Sequence, residues 1–207
     1  MHEKNVLLKG KKIGEVEKVL IMLHGRGAGA EDISSLASYL NVADFAIMAP
    51  QATNNTWYPY SFLAPKEANE PWLGSAIDVI GEVMNDVMEE GIKPENIYML
   101  GFSQGACLTL EFAARHATKY GGVVAFTGGL IGEQVDTKKY SGDFTGTPIF
   151  IGTSNPDPHV PVERVMESVQ VLKNMNANVT HRVYNNMGHT INDDELNLVN
   201  QLMFPQH

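Results

Sequence analysis

Gly101-Phe102-Ser103-Gln104-Gly105 is the stretch whose reading decides the fold. Asn96-Ile97-Tyr98-Met99-Leu100 before it reads as a short buried strand. Ala106 to Ala114 after it reads as a mostly apolar helix. A serine between two spaced glycines, at the corner from strand to helix, is forced outward. The glycines let the backbone turn sharply and remove the Cβ atoms that would block the corner. Ser103 is thereby a candidate nucleophile, and the N–H of Gln104 a candidate donor to the negative charge that its attack creates.

Working outward, Val19-Leu20-Ile21-Met22-Leu23 is a continuous apolar run, as a strand buried on both faces requires. Ala46 to Ala49, Ile97 to Leu100, Val123 to Phe126 and Ile149 to Ile151 are of the same kind. Val179 to Val183 alternates instead, which places it nearer a sheet edge. Helical spacing joins Leu73, Ile77, Ile80, Met84 and Val87, and also Val162, Val165, Met166, Val169 and Leu172. Pro161 suits the first turn of the second helix, and Asn192-Asp193-Asp194-Glu195 opens the last one with a cap and acids. Strands that alternate with helices predict an α/β fold, a mostly parallel sheet with helices on both faces. Without repeat or linker, residues 1–207 read as one domain.

Composition narrows the function. Fifteen basic against 24 acidic residues give a net charge of −9, with no basic stripe to neutralise phosphates, so nucleic acid is not an expected partner. No run is long enough to span a membrane, and Met1 to Leu8 lacks a signal-peptide core. The single cysteine, Cys107, excludes an internal disulfide and suits a reducing, cytoplasmic setting. It falls among apolar neighbours and reads as a small buried hydrophobe. No metal-ligand spacing is present, and neither a metal nor a cofactor is expected. Gly25-x-Gly27-x-x-Ala30 imitates a dinucleotide fingerprint, but its acid, Asp44, would precede the second strand instead of following it.

A serine hydroxyl needs a base, and the base an orienting acid. In α/β-hydrolases the acid and then the histidine follow the serine, each on a loop after a later strand. Asp157 follows Ile149 to Ile151, and His189, beside Gly188, follows Val179 to Val183. Asp143 and Asp136 are alternative acids, though neither directly follows a strand, and His24 is a competing base that more naturally braces its loop. His159 precedes the last strand and reads as a rim residue. Leu23-His24-Gly25-Arg26-Gly27 can offer a second oxyanion donor, the N–H of Arg26, beside that of Gln104. Residues 51–72 form a long aromatic-rich connection that reads as a binding loop, and Thr127 to Thr147 is too short for a lid domain.

Together, Leu23-His24-Gly25-x-Gly27, Gly101 to Gly105, the Asp157 to Pro161 loop and Gly188-His189 resemble the phospholipase/carboxylesterase family of α/β-hydrolases. That family includes acyl-protein thioesterases and small bacterial carboxylesterases. The resemblance implies a Ser103–Asp157–His189 triad, Arg26 and Gln104 as oxyanion donors, and Trp57 beside the acyl pocket. The thioesterases carry leucine and then Gly-Asp after His-Gly, whereas Arg26-Gly27-Ala28 stands here, which favours the bacterial branch. The expected activity is hydrolysis of small carboxylic esters or thioesters through an acyl-enzyme. A lysophospholipase and a non-catalytic small-ligand binder are the rival readings, and a homodimer is left open.

Overall fold

The computed structural model describes residues 1–206. Seven strands form one sheet: β1 (Val6–Gly10), β2 (Val19–Leu23), β3 (Ala46–Pro50), β4 (Ile97–Phe102), β5 (Gly122–Phe126), β6 (Pro148–Asn155) and β7 (Asn178–Asn185). The helices are α1 (Ala30–Ser35), α2 (Lys66–Asn69), α3 (Trp72–Glu89), α4 (Gln104–Arg115), α5 (Val162–Asn174) and α6 (Asp193–Met203). The strand order is β1-β3-β2-β4-β5-β6-β7, with only β1 antiparallel to its neighbour. This is the expected α/β-hydrolase architecture, and β7 lies at an edge.

Because successive side chains alternate across a strand, β2 feeds two cores. Val19, Ile21 and Leu23 pack on the side of α3, α4 and α5, while Leu20 and Met22 pack on the side of α1 and α6. Both faces are covered, so β2, β3 and β5 can be apolar at every position without exposing an apolar face. The predicted face of α3 holds, while that of α5 departs at two positions: Val162 is only half-buried at the first turn and Met166 is 41% exposed. In α5 the buried stripe runs through Val165, Val169 and Leu172, and Met166 lies one residue, about 100°, off it. Pro161 sits one position earlier than expected, as the residue that caps α5. Asn192 caps α6 reciprocally with Glu195. Neither β1 nor α1 was legible from periodicity. β1 is half exposed at the edge and α1 has only six residues.

Parallel strands end at the same edge of the sheet, so the segments after β2, β4, β6 and β7 all emerge together. β6 and β7 pair in register to their last residues, Asn155 opposite Asn185. The loops bearing Asp157 and His189 therefore leave the sheet side by side, joined by Asn186 N–H to the Asn155 carbonyl at 3.0 Å.

At the β4–α4 corner Ser103 has φ 54° and ψ −117°, a region that residues with a side chain seldom occupy. A Cβ on Gly101 would run into the Gly105 backbone, and a Cβ on Gly105 into the carbonyl oxygens of Leu23 and His24. These contacts are backbone against backbone and cannot be relieved by a side-chain rotation. Gly105→Ala should therefore lower the unfolding free energy by about 1–3 kcal/mol or more. Gly14→Ala, where an added Cβ meets nothing within 4 Å, should be close to neutral in the same urea titration.

Candidate active site

Ser103, His189 and Asp157 come together in space although 86 and 32 residues separate the bonded pairs. His189 Nε2 lies 2.8 Å from Ser103 Oγ, and His189 Nδ1 lies 2.8 Å from Asp157 Oδ2. With Nδ1–H donating to the carboxylate, Nε2 is left to accept the serine proton. The side chain of Asp157 is wholly buried, whereas that of His189 is 20% exposed. Burial works against the charge on Asp157. The N–H groups of His159 and Val160, both bonded to Oδ1, and the ring of His189 outweigh it. Its carboxyl is held below the ordinary carboxylate range.

Local chain geometry sets these positions. Gly188 takes φ 82°, and its N–H donates to the buried hydroxyl of Ser154 on β6, which ties the histidine loop to the acid loop. The His189 ring packs between Phe102 and His159, with centroids 5.3 and 4.9 Å away. His159 is thus a rim residue, as expected. The rival acids are spent locally. Asp143 accepts from Thr145 N–H and the Asn176 side chain, and Asp136 caps the turn at Thr137–Lys139.

His24 is fully buried, and Nδ1–H donates to the Gly25 carbonyl at 2.8 Å while Nε2 accepts the N–H of Ala52 at 3.0 Å. Both ring nitrogens are engaged, so His24 braces the turn after β2 and is no base. Beyond it, the N–H groups of Arg26 and Gln104 find no acceptor among the described residues. Two free donors at the turn after β2 and at the start of α4, beside Ser103, are what an oxyanion hole requires.

A cleft of about 780 Å³ opens over Ser103. Tyr58 to Leu63 form one wall, Pro158 to Pro161 the other, and Phe102, Gln104 and Cys107 also line it. No aspartate or glutamate faces it, in contrast to the acidic surplus of the chain. Residues 127–147 contribute nothing to its walls. That connection is held down elsewhere, by Arg164 on the carbonyls of Leu130, Gly132 and Glu133, and by buried Glu111 on Ile131 N–H and the Tyr140 hydroxyl. Cys107 is 1% exposed, and burial pushes its thiol up to about 12, so it remains protonated and inert.

Trp57 requires a correction. Expected beside the acyl pocket, it is 0% exposed and does not line the cleft. Its indole N–H donates to the His24 carbonyl at 2.9 Å, and its ring packs against His24 and His2. Composition marked residues 51–72 as aromatic but could not show which way each ring points. The neighbouring Tyr58, Tyr60 and Phe62 face the cleft instead. The side-chain role of Gln104 was also missed: Oε1 accepts Trp57 N–H at 2.9 Å, and Nε2 donates to the Tyr58 carbonyl at 2.8 Å.

A mostly parallel sheet with a serine, a histidine and an acid at its carboxyl edge defines an α/β-hydrolase. The profile of the phospholipase/carboxylesterase family matches residues 10–203, and the chain belongs to that family, which is one of carboxylic ester hydrolases. A phospholipase/carboxylesterase from Dyadobacter fermentans DSM 18053, known by crystal structure, is 53% identical. It superposes with a TM-score of 0.98, over 99% of this chain and 98% of that one. Acyl-protein thioesterase 1 of Saccharomyces cerevisiae is 28% identical over 93% of this chain and 94% of its own length. The Bacillus cereus carboxylesterase, at 21% identity and a TM-score of 0.78 over 96% and 92% of the two chains, shares the fold. Among the described residues no helix is long and apolar enough to cross a membrane.

Two outcomes follow from the buried groups. Trp57→Ala should cost about 3–5 kcal/mol of stability, measured by denaturant unfolding, because it leaves a cavity and an unpaired His24 carbonyl. Burial pulls His24 below its ordinary value of 6.5, against the smaller opposing pull of the Gly25 carbonyl. Folded protein thus keeps His24 neutral where unfolded chain would protonate it. The associated stability is complete above pH 6.5 and is lost as pH falls below it. Unfolding free energy should decline from neutral pH toward about 5, and less steeply in His24→Gln.

Proposed function

We propose that this chain is a serine hydrolase that cleaves small carboxylic esters or thioesters through an acyl-enzyme, with residues 1–207 acting as one domain. The observation that carries the reading is the unbroken relay of two 2.8 Å hydrogen bonds from Asp157 through His189 to Ser103. In the first half-reaction Ser103 Oγ attacks the acyl carbon while His189 Nε2 takes its proton. The same proton then passes to the departing alcohol or thiol. In the second, His189 takes a proton from water, which attacks the acyl-enzyme, and passes it to Ser103 Oγ as the acid departs. Asp157 keeps Nδ1 protonated and stabilises the imidazolium formed in each half. The N–H groups of Arg26 and Gln104 hold the negative oxygen of both tetrahedral intermediates.

Substrate class follows from the cleft. An apolar, carboxylate-free wall of Tyr58, Pro59, Phe62 and Leu63 suits an uncharged acyl chain, and the absence of residues 127–147 from the cleft leaves the scissile bond open to solvent. Thioester cleavage uses the same relay and differs only in the leaving group. Its support is the likeness to the yeast protein named acyl-protein thioesterase 1. A binder without catalysis would lack one triad member, and all three are present and bonded.

An alkyl phosphonate ester should add once per chain, at the peptide bearing Ser103, and Ser103→Ala should lose about a million-fold in kcat with unchanged folding. Asp157→Asn should lose about 10⁴-fold, since the amide favours the wrong imidazole tautomer. Asp143→Asn and Asp136→Asn should match wild type. Rates on aryl esters of graded acyl length, with an acyl thioester alongside, define the substrate. Labelling at another residue, or an active, purified Ser103→Ala, overturns the reading.

A further inference from the structure

The side chain of Arg26 does something that its proposed backbone role does not require. Nη1 donates to Thr56 Oγ1 and to the Pro59 carbonyl, both at 3.0 Å, and Nη2 donates to the Tyr60 carbonyl at 2.8 Å. Among the described residues no carboxylate lies within ion-pair distance of the guanidinium. Its charge is not used to neutralise another charge. Its planar fork is used to grip three acceptors on one segment, a geometry that an ammonium cannot reproduce.

The gripped segment is the wall of the cleft. Tyr58, Pro59 and Tyr60 line it, and Phe62 and Leu63 continue it. From below, the amide of Gln104 holds Trp57 and Tyr58, and Gly27 N–H donates to the Asn55 carbonyl at 2.7 Å. Gln104 reaches only as far as Tyr58; beyond it Arg26 grips the Pro59 and Tyr60 carbonyls from the oxyanion turn, while buried Asn69 accepts Tyr60 N–H and donates to the Ser61 carbonyl, both at 2.9 Å, from the opposite side. The two residues whose N–H groups are the proposed oxyanion donors thus also hold the acyl wall by their side chains.

We propose that the Arg26 guanidinium is a positioning and specificity-determining group, which fastens the Thr56–Tyr60 segment to the oxyanion turn so that acyl wall and oxyanion donor are set as one unit. The inference rests on the serine-hydrolase reading above. When the fork is removed, the Arg26 N–H persists but its turn loses the segment that steadies it, and the Tyr60 end of the wall stays tied to Asn69 but is no longer tied to the oxyanion turn. Displacements of about 1 Å in such a site cost on the order of 10²-fold in rate. The loss belongs mainly to kcat, because the donor acts on the tetrahedral intermediates more than on bound ester. Uncoupling the wall from that turn also alters which acyl lengths fit.

The test uses the full chain with Arg26→Lys, which keeps the charge and removes the fork, and Thr56→Val, which removes one acceptor of the fork together with the longer bonds of that hydroxyl to the Tyr58 carbonyl and the Gln104 amide. Aryl acetate, butyrate and octanoate are assayed, together with melting temperature and amide hydrogen exchange. Arg26→Lys should lose about 10- to 100-fold in kcat on acetate, with a smaller change in KM and a severalfold shift in the octanoate-to-acetate ratio. Amides of residues 56–63 should exchange faster while those of α4 keep their protection. Thr56→Val should move kcat and the ratio in the same direction by less, and it carries the test if Arg26→Lys does not fold. Wild-type kcat and an unaltered ratio in the folded variants overturn the inference while leaving the hydrolase reading intact. A uniform loss across acyl lengths without faster exchange at 56–63 also overturns it, because the fork would then act on the rate without holding the wall. Wild-type protein that cleaves none of the esters overturns the hydrolase reading, and this inference with it.

Discussion

Backbone packed directly against backbone, where Gly105 meets the carbonyls of Leu23 and His24, is the constraint on which the rest depends. It brings the first turn of α4 against the end of β2, so the serine corner and the turn bearing Arg26 become neighbours. It also fixes the direction in which α4 leaves the sheet, and with it the unusual φ of Ser103. Ser103 N–H donates to the Phe126 carbonyl at 2.9 Å, and its carbonyl accepts the first helical N–H, that of Cys107, at 3.0 Å. The corner is held by hydrogen bonds on both sides, which is how a strained conformation persists in a folded chain.

The site is organised as two rigid pairs of loops around that corner. On one side the register of β6 and β7 delivers the acid and the histidine, with Ser154 joining their loops. On the other, His24 and Trp57 knit the turn after β2 to residues 52–57. Each pair buries polar groups that would be costly alone, and each satisfies them within the pair. Asp157 illustrates the balance. Its side chain is wholly buried, yet it keeps a carboxylate below the ordinary range because two N–H groups and an imidazole converge on it.

The cleft sets an apolar wall of Pro59, Phe62 and Leu63 beside polar Ser103, His159 and His189, and the segment that could have become a lid is pinned elsewhere by Arg164 and Glu111. Access is therefore a property of the resting fold and does not require a domain to open. The acidic surplus of the chain stays out of the cleft, which would spare the anionic intermediate of the proposed reaction a repulsive field.

Much of this is legible in the sequence alone. Apolar runs of strand length, helical stripes and the Gly-x-Ser-x-Gly corner are local signals, and local signals determined the α/β class and the place of Ser103. The order of acid and histidine after successive strands brought Asp157 and His189 forward, because parallel topology sends those loops to one edge. Rings and edges were not legible. Trp57 turned inward while Tyr58 and Phe62 lined the cleft, Met166 fell off its stripe, and the half-exposed β1 carried no clear alternation. Composition shows that a loop is aromatic, but only packing against His24 and α4 decides which of its buried rings borders the cleft. The grips of Gln104 and Arg26 on residues 56–60 are likewise tertiary facts, since hydrogen bonds between residues 30 or more positions apart leave no periodic trace in the chain.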